Sequence, residues 1–193
     1  METDPIKYPF VPTNIELGEA TIEHPDMRMA FEHAMKHRRA QAASGMRAVT
    51  SVLVTRSGER ILGVAGELTN HVDGHEDEFV DDLTWHAKYG RCDRVQLDGN
   101  IDYDKCPGCR HDRHSERSAV RKALRDGVDL TDSEIYLYGQ WWICESCANA
   151  AHEAGVRKIH LLPKAYELFD RSREGQPERL AAFQNEHMSR QFE

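Results

Sequence analysis

The sequence predicts a single α/β domain of three layers, with helices covering both faces of a mixed central sheet of about five strands. Three patterns lead to this prediction. A helical apolar period comes first, a β-hairpin pattern follows it, and a strand–helix–strand pattern comes later in the chain. The length of 193 residues suits one domain with a sizeable core.

The N-terminal part is predicted to hold an arm and one helix. Residues 1–22 contain three prolines and little periodicity, so we interpret them as an arm. A helix is predicted to begin at Pro25, because proline is favoured in the first helical turn, and to end at Ser44. Apolar residues recur along it at helical spacing, at Met27, Ala30, Phe31, Ala34 and Met35.

A hairpin and a long insertion are predicted next. Residues 49–55 and 60–65 are rich in β-branched and apolar side chains and flank a turn, which is typical of a hairpin. Residues 71–113 contain eleven acidic and six basic residues and no sustained apolar period. We therefore interpret this segment as a long inserted loop, and long ordered loops are usually functional.

Regular structure is predicted to resume after the insertion. A helix is expected over 115–125, with Ala119, Val120, Ala123 and Leu124 facing inward. Strands over 134–139 and 157–162 flank a helix over 144–154, which predicts a βαβ unit with parallel strands. Residues 164–193 are interpreted as a C-terminal helical tail.

Charge and hydropathy narrow the classes of partner. The formal net charge of -8 disfavours nucleic acid, whose binding depends on Lys and Arg, and favours a small-molecule ligand. No apolar stretch approaches the roughly 20 residues that a membrane span needs. The first residues lack the features of a secretory signal, so we expect a cytoplasmic protein, in the host cytoplasm if the chain is viral.

The cysteines indicate metal or redox chemistry. Four of the five form two C-x-x-C pairs, Cys106 with Cys109 and Cys144 with Cys147. In a chain without a secretory signal this pattern favours metal binding or redox chemistry over a disulfide framework. The odd fifth thiol, Cys92, agrees with a reducing compartment.

One combination of residues predicts a catalytic metal. His114 and Cys144 each stand where a predicted helix begins, with Cys147 one turn further on. Three nitrogen and sulfur ligands leave one tetrahedral position of zinc open, where water becomes a hydroxide source near neutral pH. Glu116 lies two residues after His114 and is suited to take and return a proton.

The four residues His114, Glu116, Cys144 and Cys147 follow one another along the chain in the order of the H-x-E and C-x-x-C signature. This signature is typical of zinc deaminases that act on nucleobases. The similarity to a known family is strongest in the stretch Tyr-Leu-Tyr-Gly-Gln-Trp-Trp-Ile-Cys-Glu-Ser-Cys and in the later Glu-Ala-Gly-Val-Arg-Lys-Ile. Residues 49–162 resemble the cytidine deaminase superfamily, and within it the deoxycytidylate (dCMP) deaminase branch in a form like that of large phages. The resemblance implies the cytidine deaminase-like fold.

The resemblance also implies roles for single residues. His114, Cys144 and Cys147 would bind the catalytic Zn2+, and Glu116 would carry protons from water to the ring nitrogen N3 and to the departing ammonia. The two substrate contacts implied are Asn70 and Trp142. Asn70, which we place at the end of the second hairpin strand, would contact the sugar, and the backbone near Trp142 would accept from the cytosine amino group. For the Trp142 ring, packing and substrate contact are both open.

The activity implied is hydrolytic deamination of a free cytosine nucleotide, dCMP to dUMP and ammonia, which supplies the precursor of dTMP. Relatives in this branch are commonly homo-oligomers, often hexamers. They are activated by dCTP and inhibited by dTTP with Mg2+, so an allosteric nucleotide effector is expected here as well. Arg110 and Arg113 are candidates for contact with the substrate phosphate.

A second metal is left open by the sequence. Cys92, Cys106, Cys109 and His111 provide up to four ligands in the acidic insertion, and a structural Zn2+ there would help to order it. The alternative is free thiols in a loop that other contacts order. The remaining histidines of the insertion are interpreted as surface residues, namely His71, His75 and His86.

Three other functions compete with this interpretation. A structural zinc module could use both C-x-x-C pairs, although their spacing is longer than that of a zinc ribbon and leaves His114 and Glu116 unexplained. A deaminase that acts on another nucleobase, or on tRNA or single-stranded DNA, would use the same zinc chemistry, and the negative charge disfavours the two nucleic-acid substrates. A thioredoxin-like oxidoreductase does not account for the His-x-Glu motif.

Overall fold

The computed structural model describes residues 10–43, 48–70, 78–90, 92 and 105–189. The strands are β1 (Glu16–Glu19), β2 (Thr50–Val54), β3 (Arg60–Val64), β4 (Glu67–Asn70), β5 (Glu78–Thr84), β6 (Ser133–Tyr138) and β7 (Val156–Leu161). The helices are α1 (Pro25–Ala43), α2 (Trp85–Tyr89), α3 (Ser115–Arg125), α4 (Glu145–Glu153), α5 (Ala165–Phe169) and α6 (Gln176–Ser189). Two 3-10 turns, Pro107–Cys109 and His111–Arg113, precede α3.

The main sheet has five strands in the order β1-β7-β6-β2-β3. Strands β1, β7 and β6 run parallel, whereas β2 pairs antiparallel with both β6 and β3. The predicted mixed sheet of about five strands is therefore confirmed, as are the hairpin and the βαβ unit formed by β6, α4 and β7.

Helices lie on both faces of this sheet. Successive strand residues point to opposite faces, and Thr50 and Ser51 of β2 show the two sides. The Thr50 hydroxyl donates a 2.6 Å hydrogen bond to the Ala30 carbonyl of α1. The Ser51 hydroxyl lies against Gly63 of β3, on the side where the Ser115 carbonyl of α3 approaches. The apolar stripe predicted for α1 packs into the core, with Phe31 fully buried.

The predicted N-terminal arm contributes a strand to the sheet. Residues Glu16–Glu19 form β1, which pairs with β7 so that Leu17 lies opposite Ile159. This four-residue segment carries no alternating apolar pattern of its own, and its strand geometry comes from backbone hydrogen bonds to β7. The interpretation of residues 1–22 as an arm did not predict this strand.

The inserted loop also contains regular structure. Strands β4 and β5 form a separate antiparallel sheet, and β5 leads directly into α2. Asn70 therefore ends β4 and not the second hairpin strand, which ends at Val64. Of the predicted insertion, residues 71–77, 91 and 93–104 lie outside the described residues.

One predicted core residue is exposed. Ala119, Val120 and Ala123 of α3 are buried as expected, whereas Leu124 is 54% exposed. Each helical residue is rotated by about 100° from the one before it. That rotation carries Leu124 past the edge of the buried face. Among the described residues, no helix has the length and apolar character that crossing a membrane requires.

The contact between α3 and the sheet depends on Gly63. A Cβ atom at this position would lie 2.0 Å from the Ser115 carbonyl oxygen and 2.8 Å from the Ala119 amide nitrogen, both backbone atoms of α3. We expect Gly63→Ala to lower the free energy of unfolding by about 1–3 kcal/mol or more, because α3 must move to make room. Urea unfolding monitored by circular dichroism measures this change.

Gly18→Ala is the matched control for this variant. The Cβ at that edge-strand position would meet side-chain atoms, the nearest belonging to the flexible end of Lys158. We expect a much smaller loss of stability because the lysine can change its rotamer. Equal stability of the two variants would contradict the role assigned to Gly63.

Candidate active site

Two helices begin at a common point, and a potential metal ligand occupies the N-cap of each. His114 is the N-cap residue of α3 and Cys144 is the N-cap residue of α4, both with extended backbone. N-cap side chains usually accept a hydrogen bond from the first turn of their own helix. Neither of these side chains does so. Both are turned toward each other instead.

The donor atoms have the spacing of a zinc site. His114 Nδ1 lies 3.4 Å from Cys144 Sγ and 3.3 Å from Cys147 Sγ. Zinc bound tetrahedrally to nitrogen at about 2.0–2.1 Å and to sulfur at about 2.3 Å would separate such donors by about 3.6 Å. One imidazole and two thiols at these distances therefore fit Zn2+ with little movement.

The surroundings of the two thiols favour a negative charge on Cys144. Hydrogen bonding from Cys147 is the largest cause that lowers the pKa of Cys144 to about 2; burial opposes it, and His114 and Ser146 add to it. The pKa of Cys147 is raised, because its proton is held by Cys144 and the side chain is buried. The positive ends of two helix dipoles also favour a thiolate here.

Glu116 lies near these potential ligands, in the first turn of α3. Its side chain is buried, and the Ser115 hydroxyl donates a 2.9 Å hydrogen bond to Oε2. Burial raises the pKa of Glu116, whereas the charge of His114 lowers it and that of Cys144 raises it. The carboxyl group is therefore close enough to His114 and Cys144 for their charges to change its pKa. A buried carboxyl with a raised pKa is suited to proton transfer near neutral pH.

His111 lies closer to this site than the sequence suggested. We grouped it with the cysteines of the insertion, but its ring centroid is 5.1 Å from that of His114. Donor atoms of His111, His114 and Cys144 all lie within 4.8 Å of one another. The reason is the short 3-10 turn His111–Arg113, which folds the chain back just before α3. His111 is thus a potential ligand together with His114 and Cys144, in a group of donors that does not include Cys147.

The other predicted substrate contacts are only partly described. Asn70 ends β4, and its side chain lies outside the described part of the structure. Trp142 is half-buried in the bend that leads to Cys144. Arg113 has its guanidinium carbon 5.6 Å from the centroid of the Trp85 ring, and its buried Nη1 finds no hydrogen-bond partner among the described residues. Arg110 is exposed and donates to Asp112 at 3.1 Å.

The two C-x-x-C pairs belong to different clusters. Cys144 and Cys147 lie close to His114. The other pair, Cys106 and Cys109, lies in a separate buried cluster together with Cys92 and His86. The zinc module built from both pairs is therefore wrong for this geometry. The expectation that His86 is a surface residue was also wrong, since it is 4% exposed. Its position in the same insertion as three cysteines was the signal that sequence reasoning passed over.

Comparison with known families gives one finding. The family model described as the cytidine and deoxycytidylate deaminase zinc-binding region matches residues 23–162. The matched range includes the two N-cap residues, His114 and Cys144, as well as Cys147 and Glu116. No curated protein matches the chain.

Proposed function

The chain belongs to the cytidine and deoxycytidylate deaminase family, and from this premise we propose that it converts a free cytosine nucleotide, preferentially dCMP, to the uracil nucleotide and ammonia. The observation that carries this proposal is the convergence of His114, Cys144 and Cys147 beside the buried Glu116. A purely structural zinc site has no use for a buried carboxylate next to its ligands. A hydrolytic deaminase requires one.

The ligand roles follow from the donor geometry. His114, Cys144 and Cys147 would hold the zinc ion, with both cysteines as thiolates. When bound, zinc lowers the pKa of a coordinated water to near 7 and so supplies a nucleophile for C4 of cytosine. The helix N-termini of α3 and α4 stabilise the thiolate charge.

Glu116 would move the protons of the reaction. Its carboxylate takes a proton from the attacking water and delivers it to ring nitrogen N3 as the C–O bond forms at C4. It then transfers the second proton of the water to the amino group, so that the C–N bond breaks and ammonia leaves. The hydrogen bond from Ser115 to Oε2 fixes the orientation of the carboxyl group throughout.

Arg113 is the candidate that we favour for contact with the phosphate of a nucleotide substrate. Arg113 directly precedes His114, and its buried Nη1 finds no hydrogen-bond partner among the described residues. A buried donor of this kind is stabilised when a ligand accepts its hydrogen bond. Arg110 is less suitable because Asp112 already accepts from it. This supports a nucleotide over a nucleoside as substrate.

A second candidate function is supported by His111. If its imidazole occupied the fourth position on zinc, the site would be closed, and closed sites are structural. The chain would then use His111, His114, Cys144 and Cys147 to hold a structural zinc. The burial of Glu116 beside the ligands favours the catalytic alternative.

The resemblance to the dCMP branch, in its phage-like form, extends the proposal beyond the site. It includes assembly into a homo-oligomer such as a hexamer, activation by dCTP, inhibition by dTTP with Mg2+, and a cytoplasmic location. Light scattering combined with size-exclusion chromatography tests the assembly, and assays with added effectors test the regulation.

A substrate panel tests the proposed activity. We expect ammonia release from dCMP, with less from deoxycytidine and none from adenine nucleotides, tRNA or single-stranded DNA oligonucleotides. Arg113→Gln should lower kcat/KM for dCMP about 10–150-fold but barely change that for deoxycytidine, because the lost bond to phosphate is worth about 1.5–3 kcal/mol. Arg110→Gln is the control. Absence of turnover of every free cytosine nucleotide would contradict the proposal.

A further inference from the structure

A second cluster of metal-binding side chains lies outside the proposed active site. The donor atoms of His86, Cys92, Cys106 and Cys109 all lie within 4.8 Å of one another. Each of the four residues is buried, Cys92 completely. Sulfur and imidazole donors that lie this close to one another are typical of a zinc-binding site.

The separations between donors suit a metal ion better than a disulfide. His86 Nε2 lies 3.3 Å from Cys106 Sγ and 3.7 Å from Cys109 Sγ, and Cys92 Sγ lies 3.4 Å from Cys109 Sγ. A disulfide would bring two sulfurs to about 2.05 Å. Donors around tetrahedral zinc would be about 3.6 Å apart for nitrogen and sulfur and about 3.8 Å apart for two sulfurs. The observed distances lie near these values.

The local backbone brings two of the thiols together. Cys106 and Cys109 flank a 3-10 turn, closed by a 2.9 Å hydrogen bond from the Cys109 amide to the Cys106 carbonyl. Gly108 in this turn packs against Trp85, because a Cβ there would lie 2.7 Å from Trp85 Cβ. The next residue, His86, is thereby held over the turn with its ring directed at both sulfurs.

Packing alone does not account for this arrangement. The three cysteines form a small cluster separate from the main core, and Trp85 is the partly buried apolar residue packed against it. Three thiols bury little apolar surface, and the insertion around them is acidic. A bound metal would supply the free energy that so polar a segment needs for a fixed conformation.

We propose that His86, Cys92, Cys106 and Cys109 bind a second metal ion, Zn2+, in a closed structural site. Four protein ligands leave no open position, so the site would take no part in the reaction. Backbone hydrogen bonds connect the segment that carries this metal site to the residue two positions before α3. The Gly66 amide donates to the Arg113 carbonyl at 2.7 Å, and the Trp85 amide donates to the Gly66 carbonyl at 2.6 Å. The metal would thus anchor the chain that leads to His114.

Metal stoichiometry of the full chain tests this proposal. We expect native mass spectrometry and elemental analysis of the zinc-loaded protein to give two zinc ions per chain. Cys109→Ala should retain one ion, the matched variant Cys144→Ala should also retain one, and the double variant should retain none. Circular dichroism of each variant monitors the fold, and the wild-type stoichiometry decides the question even if Cys109→Ala fails to fold.

The possible outcomes separate the two metal sites. A wild-type protein that binds one zinc, retained in Cys109→Ala and lost in Cys144→Ala, would overturn the second site and leave the proposed function standing. One zinc that is lost in Cys109→Ala and retained in Cys144→Ala would support the second site and contradict the proposed catalytic centre.

Discussion

Glu116→Gln is expected to lower kcat for dCMP deamination by about 10²–10⁴-fold, the usual contribution of a general acid–base group. Glutamine keeps the size of the side chain and accepts the hydrogen bond from Ser115, but it cannot take a proton from water or return it to the substrate. The zinc ligands are unchanged, so the zinc content should stay at the wild-type value. Steady-state ammonia release and elemental analysis on the same preparation measure the two quantities.

Glu145→Gln provides the matched control for this variant. Glu145 also occupies the first turn of a helix that begins at a proposed ligand, but its side chain is exposed. Removal of its charge should leave kcat within about twofold of the wild type, since exposed charges contribute little. A Glu116→Gln enzyme that turns over as fast as Glu145→Gln would contradict the proposed role.

Removal of a catalytic ligand is expected to abolish activity together with one bound zinc. In His114→Ala the only nitrogen donor of the proposed three-residue site is lost, and two thiolates alone hold zinc weakly. We expect turnover to fall below detection and the zinc content to drop by one ion per chain. Activity assays and elemental analysis check both effects.

His111→Ala is the informative comparison for the ligand experiment. The two histidines are three residues apart and their rings are neighbours, so a nonspecific disturbance would affect both variants. If the catalytic zinc is held by three protein ligands, His111→Ala keeps the same zinc content as the wild type and a large part of its activity. Equal loss of zinc from both variants would indicate a closed four-ligand site and support the structural alternative.

The regular elements of the second half of the chain could be predicted because their signals are local. Helix α4 ends at Glu153, and Gly155 follows it with a φ of +101° that favours glycine; each flanking strand carries buried apolar residues, such as Ile135 and Ile159. Strand β1 could not be predicted in the same way. Its four residues become a strand through pairing with β7, which is a contact between distant parts of the sequence.

In the candidate site, too, the residues of a sequence motif could be predicted, whereas residues that depend on contacts between distant parts of the chain could not. The sequence order of His114, Glu116, Cys144 and Cys147 predicted a cluster, and the structure brings their side chains together because α3 and α4 begin at one point. Their roles in catalysis stay predictions. The assignment of His86 and His111 to the two clusters depends on the path of the insertion in space, which spacing along the chain does not determine.

A crystal structure of the zinc-loaded protein tests the central claim most directly, because it shows what occupies the fourth position on the ion held by His114, Cys144 and Cys147. We expect a water molecule there, within hydrogen-bonding distance of the Glu116 carboxyl group. An imidazole nitrogen of His111 in that position, or a Glu116 side chain turned away from the ion, would contradict it.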